Sequence, residues 1–203
     1  MQASPDSVVA GGPWQRVSLA FSLDQLPRSW EPDHLLQAER LVRDQNRSVW
    51  EAACRAVGRR AHSEPAAGSM LGDLLTSPVM EMRLRGLVAL GALAPYRPDE
   101  VLEFLQQRLE EAAWNPDPVL LEAILTLLPQ LPEGQGIDLM ATALEDGRDP
   151  VRAAAAGALV HWQSWPWASL VRLVTDPSLI VRASMVKVLS RFVPQDEALQ
   201  ALA

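Results

Sequence analysis

Five ten-residue segments of this chain resemble one another, and they begin at Val49, Met82, Val119, Val151 and Val181. In each segment, apolar or small residues recur at the first, fifth and ninth positions, which lie on one face of a helix. Successive segments start 30 to 37 residues apart, a period typical of repeats made of two helices. Such repeats bury their apolar faces by stacking on their neighbours. The sequence therefore predicts an all-α fold, a right-handed α–α superhelix (a solenoid) of about five helix pairs with an N-terminal cap.

Each repeat is interpreted as a helix A, a turn and a helix B that begins near the start of the segment. The A helices are predicted at residues 33–42, 66–75, 99–112, 137–144 and 167–174. Asp, Asn, Ser and Pro cluster before every B helix. Their side chains can satisfy the free N–H groups of a helix start, and Pro fits its first turn. These turn residues support the same period as the apolar pattern.

We expect residues 1–13 to be a flexible N-terminal segment and residues 14–203 to form one repeat domain. Within that domain, the expected parts are the cap at 14–32, repeats at 33–62, 63–95, 96–132, 133–163 and 164–193, and a partial repeat or second cap at 194–203.

The stretch from Asp149 to Leu159 resembles the HEAT repeat, whose second helix typically opens with Asp-x-x-Val-Arg and continues with spaced Ala and Leu. The stretch from Asp176 to Leu189 is similar, and Glu81-Met-Arg is a weaker match. Trp50 and Leu120 stand where the family usually has Arg. The resemblance implies a HEAT-like solenoid. It also implies that Arg83, Arg152 and Arg182 pair with acidic turn residues of a neighbouring repeat, with Asp149 and Asp176 as candidates.

The charge and the cysteine content limit the classes of partner and the cellular compartment that this chain is expected to have. The net charge is −7 and the pI is near 5.0, which argues against nucleic acid and against an anionic membrane surface. We expect that residues 1–13 are not a signal peptide, and the sequence has no apolar run of about 20 residues. Cys54 is the single cysteine, which fits a reducing compartment, and we expect it to be a small buried residue. The predicted location is the cytoplasm.

Catalytic chemistry finds little support in the sequence. His34, His62 and His161 fall in different repeats, and no metal-ligand spacing is present. No nucleotide fingerprint or nucleophile motif occurs. We therefore predict no cofactor and no metal. We favour the interpretation that the protein is not an enzyme, although the sequence does not exclude an enzymatic activity.

The outward positions of the B helices predict a binding surface. They place Leu84, Val88, Leu121 and Leu125 in an apolar patch edged by Arg85 and Glu122. If the helical phase is off by one residue, these leucines belong instead to the core. Trp162 and Trp165 lie at a repeat junction, where they either contact a partner or fill a gap between helices.

The favoured function is a non-catalytic scaffold or adaptor that binds another protein through its concave surface. The alternative is a bilin (phycobilin) lyase or pigment-protein chaperone subunit, because the Ala-rich B helices of residues 151–190 resemble those of bilin lyases. That resemblance implies a tetrapyrrole in the same groove but transfers no catalytic residue. A HEAT-like DNA glycosylase is disfavoured because such enzymes need a basic surface.

Overall fold

The computed structural model describes residues 11–26, 29–111, 117–162 and 167–192. Within these ranges the chain forms eleven α-helices and three short 3-10 helices, and no strand. The fold is therefore all-α, as predicted. The chain divides into two compact units, residues 1–101 and 102–203, which are described separately.

Unit 1 consists of a leading helix and two helix pairs. The helices are α1 (Pro13–Asp24), α2 (Pro32–Val42), α3 (Arg47–Ala61), α4 (Pro65–Leu75) and α5 (Met80–Leu93). Helix α2 pairs with α3, and α4 pairs with α5. Helix α3 packs against all four of these other helices, most extensively against α1 and α5.

Unit 2 repeats the same arrangement. Its helices are α6 (Pro98–Glu111), α7 (Pro118–Leu125), α8 (Gly136–Leu144), α9 (Asp149–Ala158), α10 (Trp167–Val174) and α11 (Leu179–Phe192). Helix α6 begins at the end of unit 1, and its residues from 102 onward belong to unit 2. Short 3-10 helices lie at Leu128–Gln130, Pro132–Gly134 and Leu159–His161. Helix α8 pairs with α9 and α10 with α11, and α9 packs between α7 and α11.

All five predicted A helices are present, as α2, α4, α6, α8 and α10, and each agrees with the prediction to within one residue at either end. Proline explains three of the starts. Pro32, Pro65 and Pro98 are the first residues of α2, α4 and α6, where the fixed φ of proline suits a helix and its missing N–H costs nothing. The predicted N-terminal cap corresponds to α1, whereas residues 1–10 lie outside the described part of the chain.

The structure corrects the register of the third B helix. The residue that caps the N-terminus of α3 is Asn46, three positions before Val49. The cap of α7 is Asp117, whose carboxylate accepts hydrogen bonds from the backbone N–H groups of Val119 (2.9 Å) and Leu120 (3.3 Å). By the same spacing the third repeat segment starts at Leu120, one residue later than predicted. The apolar run that follows Pro118 hides the phase, because any of its residues could begin the pattern.

We number the positions of each B helix from Val49, Met82, Leu120, Val151 and Val181 as zero. Positions 4 and 8 are then buried in every repeat: Ala53, Gly86, Ile124, Ala155 and Met185 at position 4, and Val57, Leu90, Leu128, Leu159 and Leu189 at position 8. Small side chains bring neighbouring helices close together. A Cβ atom added to Gly58 in α3 would lie 1.9 Å from the carbonyl oxygen of Ala89 in α5, so only glycine fits at this crossing.

Candidate protein-binding surface

The corrected register changes the predicted apolar patch. Leu121 is 1% exposed and Leu125 is fully buried, so both belong to the core of unit 2 and their prediction as outward-facing residues is wrong. The alternative, a phase error of one residue, is confirmed for this helix. Leu84 and Val88 are half-buried on the surface of α5, and Glu122 is exposed on α7.

The prediction for Arg85 is also wrong, because this residue does not lie at the edge of a surface patch. It is 4% exposed, and its Nη1 donates hydrogen bonds to the carbonyl oxygens of Val42 and Asp44. Its Nη2 donates to the Glu81 carboxylate. Its guanidinium carbon lies 4.9 Å from the ring centroid of Trp50, within cation–π range. Arg85 therefore ties α5 to the turn between α2 and α3.

A hydrogen bond that recurs in the other repeats explains why Arg85 donates to the carbonyl oxygen of Asp44. The arginine at position 1 donates to the carbonyl oxygen six residues earlier, as Arg83 does to Ser77 (2.8 Å), Arg152 to Asp146 (2.8 Å) and Arg182 to Asp176 (2.7 Å). In the first repeat Trp50 occupies position 1 and cannot donate in this way. The equivalent carbonyl, that of Asp44, is instead satisfied by Arg85 from the next repeat at 3.0 Å.

The predicted pairing of position-1 arginines with acidic residues is confirmed for Arg152. Its Nε lies 2.9 Å from Asp176 of the following repeat, and its Nη2 lies 2.9 Å from Asp149. The side chains of Arg152 and Asp176 are largely buried, at 12% and 9% exposure. Arg83 and Arg182 donate hydrogen bonds to carbonyl oxygens of their own turns.

Two aspartates of unit 2 are held in their ionised form by these contacts. The hydrogen bonds from Arg152, and then the backbone N–H of Ser178, keep the pKa of Asp176 below its usual range. The side chain of Arg148 does the same for the pKa of Asp146. Each carboxylate also accepts a 2.8 Å bond from the backbone N–H two residues later, which closes the turn before the B helix. These groups thus serve the structure of the turns.

The surface of the B helices is formed by positions 2 and 6 of the corrected register, and we call it the B-helix face. It consists of Glu51 and Arg55 on α3, Leu84 and Val88 on α5, Glu122 and Thr126 on and just after α7, Ala153 and Gly157 on α9, and Ala183 and Lys187 on α11. Each of these residues is exposed or half-buried, and none is buried. The face is thus the same side of each B helix in every repeat.

The tryptophan cluster is only partly described. Trp162 is half-buried and directly follows the 3-10 helix Leu159–His161. Trp165 lies outside the described residues, so its predicted role in partner binding stays a prediction.

Among the described residues, no group of three or more His, Cys, Asp or Glu side chains is arranged to hold a metal ion. Burial raises the pKa of the Cys54 thiol to about 12, which makes it a poor nucleophile, and its prediction as a buried residue is confirmed. His62 stacks on Tyr96 with ring centroids 4.5 Å apart, an arrangement that fixes the end of α3.

Two grooves open between A helices of unit 2. The larger, about 730 Å³, lies between α8 and α10 and is lined by the paired Arg152 and Asp176. The 2.9 Å ion pair of Arg172 with Glu145 joins two more of its lining residues. The smaller, about 340 Å³, lies between α6 and α8.

The described helices include none that combines the length and the apolar character needed to cross a bilayer. No family model matches the chain, and no curated protein matches it. Among solved structures, a designed armadillo repeat protein is similar to this chain over 97% of both chains, with 16% sequence identity and a TM-score of 0.32. The assignment to helical repeats therefore rests on the packing of the helix pairs within each unit.

Proposed function

We propose that this chain is a non-catalytic protein-binding module, a scaffold or adaptor, that takes its partner on the B-helix face. One observation carries the proposal: positions 2 and 6 reach the surface in all five B helices. Within each unit, repetition of one solvent-facing side on neighbouring B helices gives an extended surface for a partner.

The chemistry of the face in unit 1 suits a protein partner. Leu84 and Val88 stand one helical turn apart on α5 and keep part of their apolar surface open to solvent. On the adjacent helix α3, Glu51 pairs with Arg47 at 2.7 Å and lies 4.0 Å from Arg55. An apolar spot beside charged groups is the usual composition of a protein interface, where the apolar part gives affinity and the charges give orientation.

In unit 2 the face is smoother and charged. Ala153 and Gly157 have small side chains or none, and the Glu122 carboxylate would lie 3.7 Å from a Cβ placed on Gly157. Lys187 adds an exposed positive charge on α11. Small residues let a partner approach the helix backbone closely, while the charges restrict its orientation.

The type of repeat and the compartment belong to the same proposal. We infer that the repeats are of the HEAT type, and the arginine bonds at position 1 support this assignment. A cytoplasmic location is supported by the low cysteine content, a single residue that is buried and free.

The test is affinity capture from native extract with two matched variants, followed by quantitative mass spectrometry. The variant Leu84→Gln/Val88→Thr removes apolar character from the B-helix face. The control Leu36→Gln/Val171→Thr makes the same changes at exposed positions of the A helices α2 and α10. We expect the first variant to recover the main partner about tenfold less efficiently, the size typical of losing an interface hot spot. The control should recover it as the wild type does.

Circular dichroism and melting temperature establish that both variants are folded before capture. Unchanged recovery with the B-helix variant, or an equal loss with both variants, would contradict the proposal.

A further inference from the structure

The groove between α6 and α8 has an apolar floor that is open to solvent. Its floor contains the buried Leu109, Ala143 and Val151 and the half-buried Leu102 and Leu139. The two half-buried leucines leave part of their surface in contact with water. Covering that surface with apolar groups of a ligand would be favourable.

Each rim of the groove carries one exposed carboxylate, Glu110 on α6 and Asp138 on α8. Gln106 and Glu110 lie one helical turn apart on α6, and Asp138 and Thr142 lie one turn apart on α8, and all four are exposed. Glu110 accepts a 3.4 Å hydrogen bond from the Gln106 amide. In the described part of the chain, neither Glu110 nor Asp138 has an ion-pair partner within 4.0 Å.

The arginine that lines this groove does not offset the rim carboxylates. Arg148 Nε and Nη2 each lie 2.7 Å from an oxygen of Asp146, so its charge is compensated locally. Arg148 Nη2 also lies 3.5 Å from the carbonyl oxygen of Leu109. Two negative charges, those of Glu110 and Asp138, therefore remain to attract a ligand.

The net charge of the second half of the chain has the same sign. Residues 102–203 contain 13 of the 25 acidic residues but only 7 of the 18 basic ones, so they hold −6 of the net charge of −7. A field of this sign speeds the approach of positively charged partners and disfavours acidic ones.

We propose that the groove between α6 and α8 binds a basic amphipathic segment of a partner protein. Leucine-like side chains of that segment lie on the floor, and its Lys or Arg side chains meet Glu110 and Asp138. This is the helix-in-groove mode of recognition, in which apolar anchors recur every three or four residues. The site lies mainly on the A helices α6 and α8 and shares no residue with the B-helix face, so either surface can fail its test without affecting the other.

The experiment measures binding of synthetic fluorescent peptides to the full chain by fluorescence anisotropy. The main probe has about 14 residues, close to four helical turns, with Leu on one face and Lys on both flanks. A second peptide has Glu in place of every Lys, and a third has Ser in place of every Leu. We expect the Lys peptide to bind at least about tenfold more tightly than either of the others.

Charge reversal at the rims supplies the decisive result. The variant Glu110→Lys/Asp138→Lys should bind the Lys peptide at least about tenfold more weakly and should now prefer the Glu peptide. An unfolded protein would not show this switch in preference. The control Glu103→Lys reverses a charge on α6 at an exposed residue outside the groove, and its affinity should change less than about threefold.

Three outcomes would overturn the proposal. Equal losses in the rim variant and the Glu103→Lys control would show a general charge effect, and equal binding of the Ser peptide would show that the floor is not used. The third outcome is self-association of the wild type in analytical ultracentrifugation that the rim variant abolishes. It would mean that the groove binds a second copy of this chain.

Discussion

Replacing Gly58 with Ala is expected to destabilise unit 1 by about 3 kcal/mol or more. The added methyl group would lie 1.9 Å from the carbonyl oxygen of Ala89 and 2.7 Å from its carbonyl carbon. These are backbone atoms of α5, so no side-chain rotation can relieve the clash. The two B helices must move apart, and contacts along the whole α3–α5 interface are weakened. Urea unfolding followed by circular dichroism gives the change in free energy.

Gly72→Ala is the matched control, because a Cβ at that exposed position of α4 meets nothing within 4 Å. It should leave stability unchanged or raise it by up to about 1 kcal/mol, since alanine is the better helix former. Hydrogen exchange should show faster exchange in α3 and α5 for Gly58→Ala only. Similar stability of the two variants would mean that α3 and α5 are not in close contact.

Replacing Arg152 with Ala should destabilise unit 2 by about 3 kcal/mol. The change removes two hydrogen bonds to the Asp176 carboxylate, one to the Asp149 carboxylate and one to the carbonyl oxygen of Asp146. It leaves the carboxylate of Asp176 buried with fewer partners, which costs more than the pair itself contributes. The control Arg172→Ala removes an ion pair to Glu145 in which both side chains are mostly exposed, so its effect should stay below about 0.5 kcal/mol.

The pH dependence gives a second check on Arg152. Its hydrogen bonds lower the pKa of Asp176 in the folded state, relative to about 3.9 in an unfolded chain. The resulting stability is fully present above about pH 5 and is lost as the pH falls and the carboxylate becomes protonated. The wild type and Arg152→Ala should therefore differ most near pH 7, and the difference should shrink as the pH falls below about 3.9 through the lowered pKa of Asp176. A difference that is constant with pH would exclude this ion pair as the cause.

The helices of this fold could be predicted from the sequence because several local signals agree. The segments recur every 30 to 37 residues, turn residues precede each B helix, and prolines begin the A helices α2, α4 and α6. The helical phase, which decides the residues of each helix that face the core, was harder to predict from the sequence. In α7 the run Val119, Leu120 and Leu121 is apolar throughout, and only the hydrogen bonds of Asp117 decide which residue faces the core.

The candidate surfaces were harder to predict than the helices. Arg85 had the pattern of an exposed residue, and its burial depends on a tryptophan at position 1 of the preceding repeat. That substitution, Trp50 where arginine is usual, was the one visible signal. The groove between α6 and α8 had no sequence signal, because it combines α6 residues with residues at least 25 positions later in the chain, which only tertiary packing brings together.

Thiol labelling of α7 tests the shared register of the B helices most directly. The experiment compares the rates at which the Glu122→Cys and Leu121→Cys variants react with a disulfide reagent in the folded protein. The native Cys54 thiol contributes little background, because it is buried and its pKa is raised to about 12. The account predicts fast reaction at position 122 and reaction at least about 100-fold slower at position 121, where labelling requires the helix to open. Faster labelling at position 121 than at 122 would contradict the register and, with it, the B-helix face.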